Sequence, residues 1–107
     1  MTLPTPILAY FVADRRNDGA ALVDAFAPDA VVRDEGQSHV GREAIHAWWR
    51  AAKARYRHVV EPLEAGEKGD VVEVLGKVTG QFPGSPAMMT FAFRVKSDRI
   101  AGLEITA

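Results

Sequence analysis

From Asp70 to Lys96 the chain alternates between apolar and polar residues twice, and a stretch that cannot continue a strand separates the two runs. In the first run Val72, Val74, Val78 and Phe82 fall on one face, and Glu73, Lys77, Thr79 and Gln81 on the other. In the second, Met88 to Lys96, the apolar face carries Met89, Phe91, Phe93 and Val95. A period of two over this length is the signature of half-buried strands. Between them Pro83–Gly84 suits the centre of a type II turn, and Ser85–Pro86 prolongs the connection. The second half is therefore expected to be a sheet with one face against a core. Its other strands are predicted at His58–Glu64 and Arg99–Thr106. Gly76 and Gly80 fall on the apolar face, where missing side chains let a sheet bend or a ligand approach.

The first half has a different period. Thr5–Pro6 reads as a cap followed by proline in the first turn, and Ile7, Tyr10, Phe11 and Asp14 recur at helical spacing, which predicts a helix to about Arg16. Asn17–Asp18–Gly19 breaks it. A second helix is expected over Ala20–Ala27, ended by Pro28, and a short strand over Ala30–Arg33. Glu35 to Val40 reads as a polar loop, after which Gly41 opens a third helix with Ile45, Trp48, Trp49 and Ala52 on its apolar face, fraying near Arg55. Helices segregated from a mostly antiparallel sheet make this an α+β chain. A curved sheet half wrapped around its helices leaves a cone with one apolar cavity at the open end.

Composition narrows the function. At 107 residues the chain is expected to be one domain, residues 1–107. A formal charge of -1 without a basic stripe argues against nucleic acid as a partner. Absence of cysteine removes thiolate chemistry and fits a reducing compartment, so the cytoplasm is the expected location. The apolar stretch Leu3–Ala13 is too short to span a bilayer and lacks a basic leader, so no membrane role is expected. His39, His46 and His58 have no metal-ligand spacing, and neither metal nor cofactor is expected.

Asp34 is the residue on which function turns. It stands where a short strand meets a glycine turn, and two readings stay open: a loop-capping acid, or the one charged group in an apolar pocket. Tyr10 is likewise either a core aromatic with its hydroxyl tied to a neighbour or a donor facing that pocket. Glu35 should point the other way, and His39 is a candidate for the rim. Trp48 and Trp49 diverge by about 100° around their helix. On the sheet's outer side Val71, Leu75 and Met88 interrupt a polar face, which suggests that it is covered.

The helix–helix–strand opening, the segment Phe26–Ala27–Pro28–Asp29–Ala30–Val31–Val32–Arg33–Asp34 and the helix start Gly41–Arg42–Glu43–Ala44–Ile45 resemble the nuclear transport factor 2-like superfamily, within it the SnoaL-like and ketosteroid isomerase branches. The resemblance implies a cone-shaped, cystatin-like fold and a homodimer through the outer sheet face. It also implies Asp34 as general base and Tyr10 as the donor to a developing oxyanion. Trp49 takes the place of an aromatic supporting that tyrosine. Phe91 stands where ketosteroid isomerase keeps its second donor, a neutral carboxylic acid, so that donor is missing. Candidate walls are Trp49, Phe82, Met89, Phe91 and Leu103, with His39 at the rim. The function implied is cofactor-free proton transfer on a small apolar carbonyl compound, of isomerase or polyketide cyclase type. The alternative is a non-catalytic ligand-binding or dimeric association module of the same fold.

Overall fold

The computed structural model describes residues 1–107. Three helices, α1 (Thr5–Arg15), α2 (Gly19–Asp24) and α3 (Arg42–Tyr56), pack on the concave side of one six-stranded sheet. Its strands are β1 (Phe26–Asp34), β2 (Gln37–Val40), β3 (Val59–Lys68), β4 (Val71–Thr79), β5 (Ala87–Lys96) and β6 (Arg99–Thr106). Their order is β2-β1-β6-β5-β4-β3, and every neighbouring pair is antiparallel except β1 with β6. Register shifts interrupt β1–β6, β3–β4 and β5–β6, and such bulges increase the bend and twist of a sheet. The result is the expected α+β cone, a curved sheet around N-terminal helices.

The core is aromatic where α1 meets the sheet. Phe11 sets its edge against Phe91 and Phe93, at centroid distances of 5.6 and 5.7 Å. Tyr10 makes edge contacts with Phe11, Phe26 and Phe93 at 5.2, 5.9 and 5.5 Å. Such T-shaped pairs are favourable beyond the area they bury, and three of them fix the Tyr10 ring. Gly76 exists for this cluster: a Cβ there would lie 2.8 Å from Phe91 Cε1 and 2.9 Å from Val60 Cγ1. The missing side chain admits a ring of the protein's own core.

Several sequence expectations shift at their boundaries. α1 is capped by Pro4, with Thr5 already helical and no side-chain cap. α2 ends at Asp24, so Pro28 does not stop it; Pro28 lies inside β1, in the stretch between Phe26 and Val31 where pairing with β6 lapses. A residue without an N–H is tolerated there because no ladder bond is required of it. The expected loop after Asp34 contains a strand. Glu35 and Gly36 both have positive φ, 52° and 75°, and make a two-residue hairpin turn that pairs Asp34 with Gln37. β4 stops at Thr79, short of Phe82, because Gly80 N–H turns to Ser85 Oγ and Gln81 N–H to the Tyr56 carbonyl.

Candidate active site

Asp34 owes its position to that hairpin. As the last residue of β1 it follows Val32 on the concave face, and the Glu35–Gly36 turn holds its backbone. The carboxylate is half-buried, and its Oδ2 accepts from Trp48 Nε1–H at 3.0 Å. Burial pushes its pKa above the usual carboxylate value, and the neighbouring Glu35 charge adds to this. The Trp48 N–H, the Glu35 backbone N–H and the charge of His39 pull the other way.

The carboxylate opens on a cavity of about 390 Å³ between α1, α3 and the sheet, with twelve hydrophobic residues among its fifteen lining residues. Tyr10, Trp48, Trp49, Ala52 and Tyr56 come from the helices, and Val60, Val78, Phe82, Ala87, Met89, Phe91 and Ile105 from the sheet and its loop. Asp34, Glu35 and His58 are its polar members. At its edge Tyr56 donates its hydroxyl to Glu35 Oε1 at 3.2 Å, and the Tyr56 ring meets Phe82 edge-on at 5.9 Å. Glu35 is exposed and held by this bond.

Tyr10 is 3% exposed, yet no protein group hydrogen-bonds its hydroxyl. The only enclosed side-chain oxygen or nitrogen without a partner is Asp14 Oδ2, so the phenol oxygen is left open toward the cavity. Burial raises its pKa well above the ordinary phenol value, helped by the charges of Asp14 and Asp34. The phenol is therefore a neutral O–H donor across the physiological range.

Of the sequence-derived candidates, Asp34, Tyr10, Trp49, Phe82, Met89 and Phe91 are brought together around this one cavity. Leu103 is not among them. It is 2% exposed and pairs with Phe93 and Val32, deeper along the same face; Ile105, two residues on, supplies the wall. His39 is also off the cavity: it lies on β2 beside Trp48, ring centroids 6.0 Å apart, and reaches Asp34 only through its charge. Trp49 does not support the Tyr10 hydroxyl. Its indole N–H goes to Asp14 Oδ1 at 3.0 Å.

That bond belongs to a buried polar network that the sequence reading passed over. Asp14 is 1% exposed, and its Oδ1 also takes Lys53 Nζ at 3.0 Å, with His58 Nε2 at 3.7 Å. Lys53 additionally donates to the His58 carbonyl. The network ties α1, α3 and the start of β3 together behind the cavity wall. Burial lowers the His58 pKa; the Asp14 charge raises it, Lys53 lowers it, and the Ala52 carbonyl and Asp34 raise it, leaving the imidazole net depressed. The signal for Asp14 was present, a charge in register with Ile7, Tyr10 and Phe11; His58, at a strand start, carried none. No three His, Cys, Asp or Glu side chains converge as metal ligands.

Comparison with known proteins agrees with this architecture. Residues 7–103 match the family of the SnoaL-like domain. A candidate polyketide cyclase from Sinorhizobium meliloti shares 52% identity with the chain, covering 97% of it and 95% of its own length, with a TM-score of 0.94. A Catenulispora acidiphila protein with a ketosteroid isomerase-like fold, solved in complex with trimethylamine, is 25% identical over 99% of this chain and 87% of its own, with a TM-score of 0.85. A cystatin-fold protein from Novosphingobium aromaticivorans is 21% identical over 100% and 99% of the two chains, at a TM-score of 0.80. No protein with a curated description matches. No helix is long and apolar enough to cross a membrane. The chain belongs to the SnoaL-like family.

Proposed function

We propose that this SnoaL-like protein takes a small, largely apolar carbonyl compound into the cavity and moves a proton on it, with Asp34 as base and Tyr10 as donor. The observation carrying this reading is the pairing of a half-buried carboxylate, raised in pKa by burial, with an unengaged phenol in one apolar cavity. Asp34 would take a proton from the carbon next to the carbonyl. The C–H electrons would pass into the carbonyl, and the enolate oxygen would accept from the Tyr10 O–H. In a conjugated enolate, return of the proton to the far carbon would complete an isomerisation. In a cyclisation the enolate carbon would attack a second carbonyl carbon, whose π electrons pass to its oxygen, and that oxygen would take the proton held by Asp34. A carboxylate whose pKa is lifted toward neutrality is the stronger base. The Trp48 N–H keeps it oriented. The candidate cyclase at 52% identity supports the same chemistry for this chain.

A second reading, ligand binding without turnover, is favoured by one feature. The wall at Phe91 is a buried hydrocarbon where a second oxyanion donor would stand, and loss of one such donor costs about 3–4 kcal/mol of transition-state stabilisation. Deuterium wash-out from 2-tetralone in D2O, followed by proton NMR, separates the two. Proton transfer predicts exchange faster than in buffer, lost in Asp34→Asn while binding persists. Binding with exchange at the buffer rate leaves the second reading; no binding overturns both. A homodimer through the outer sheet face goes with either reading, supported by Met88 at 54% exposure, and light scattering reads it directly.

A further inference from the structure

On the other side of Trp49 and His58 lies a second concavity, about 720 Å³, bounded by the α1–α2 junction, α3 and the start of β3. Its lining is unlike that of the apolar cavity. Arg15, Arg50, Lys53 and Arg57 face it, with His46 and His58, and the single carboxylate is Asp14, which Lys53 already neutralises. Four cations against one acid leave the cleft at +3 while the whole chain is -1, so everything else sums to -4. The charge is segregated, and the near-neutral total hides it.

The three arginines are exposed, and none lies within ion-pair distance of a carboxylate. The macrodipole of α3 accounts for basic residues in its last turn. It does not account for Arg50 further back on the helix, or for Arg15 brought in from α1. Arg57 stands just past the end of α3 in the left-handed region, φ 48°, where glycine is the least strained choice. A guanidinium is kept there and faces the cleft.

We propose that this cleft binds a small organic or inorganic anion bearing two or more carboxylate or phosphate groups. Unpaired guanidiniums bind such groups with paired N–H donors. The volume falls within the range of about 300–1,000 Å³ common to small-molecule sites. A bounded concavity, rather than a stripe along the surface, fits a compact anion better than an extended polyanion. The inference is independent of proton transfer, because none of the three arginines lines the apolar cavity.

Isothermal titration with pyrophosphate and with citrate, at ionic strength held constant with sodium chloride, tests it. Saturable one-to-one binding is expected, weakened about tenfold or more in Arg50→Ala/Arg57→Ala, the scale of losing charge-assisted contacts. Both side chains are exposed, and thermal melts confirm that the variant folds. Arg33→Ala and Arg99→Ala, exposed on the sheet, should bind as the parent does. The proposal is overturned if neither anion gives saturable heat, or if control and cleft variants weaken alike. It is also overturned if only a long polyanion such as heparin binds, which would mark an extended docking surface.

Discussion

Replacing Asp14 by alanine removes the one carboxylate inside the helix–sheet core and orphans two partners at once. Lys53, with a side chain 13% exposed, loses its counter-ion, and the Trp49 indole N–H loses its acceptor. Breaking a buried pair by removing one member costs about 3–5 kcal/mol, most of it the penalty of the charge left behind. The bond from Lys53 to the His58 carbonyl survives, which favours the lower half of that range. By contrast the exposed pair Lys68–Glu73, at 3.7 Å, should contribute about 0–1 kcal/mol. For a chain of this length each kcal/mol shifts the melting temperature by about 4–5 °C, so Asp14→Ala should melt roughly 12–20 °C lower. Urea unfolding followed by far-UV circular dichroism and tryptophan fluorescence measures the loss. Asp14→Asn keeps an acceptor for Trp49 and removes only the charge, so it should fall between parent and alanine. Asp14→Leu combined with Lys53→Met removes both charges and should recover most of the loss. A cost below about 1 kcal/mol for Asp14→Ala would refute the claim that this network fastens α1 to α3 and β3.

Four further outcomes follow from the geometry. Asp34 has a folded-state pKa above its unfolded one, so its protonated form favours folding and stability is lost as pH rises through that window; Asp34→Asn should flatten this slope in urea midpoints measured from pH 3 to 7. His58 has the opposite sign: its depressed folded-state pKa gives stability that is present above its ordinary value of about 6.5 and lost as pH falls, so His58→Gln should flatten the acid side of the curve. Gly76→Ala forces a methyl against the Phe91 ring and Val60 and should cost about 1–3 kcal/mol in chemical denaturation. Leu103→Ala should cost about 2–5 kcal/mol with little effect on 2-tetralone affinity, whereas Ile105→Ala, on the cavity wall, should change that affinity more than stability.

The sequence was most legible where periodicity is long. β5 and β6 fall close to where alternation placed them, because Phe91 and Phe93 can bury only on one face. It was least legible where two or three residues decide. Glu35–Gly36 makes a primed turn without the usual Asn or Asp in first place, so no turn signal in the sequence marks β2 as a strand. Pro28 looked like a helix stop because its tolerance in β1 depends on a lapse in pairing with a strand some seventy residues away. The site divides the same way. Asp34 and Tyr10 were named from the chain, but burial depth is a tertiary property. Leu103 and Ile105 share one face, and only the depth of burial puts Ile105 rather than Leu103 on the cavity wall, while His39 sits on β2, off the cavity. Asp14 was visible as a charge in an apolar register, yet its partners Lys53 and His58 come from elements whose placement only the fold supplies.

The most direct measurement is a carbon-13 NMR titration of the Asp34 carboxyl, assigned with Asp34→Asn and run with and without 2-tetralone. The account predicts an inflection above the ordinary aspartate value, displaced when the ketone binds. An inflection at or below that value, indifferent to the ketone, would place the carboxylate in solvent and contradict the reading.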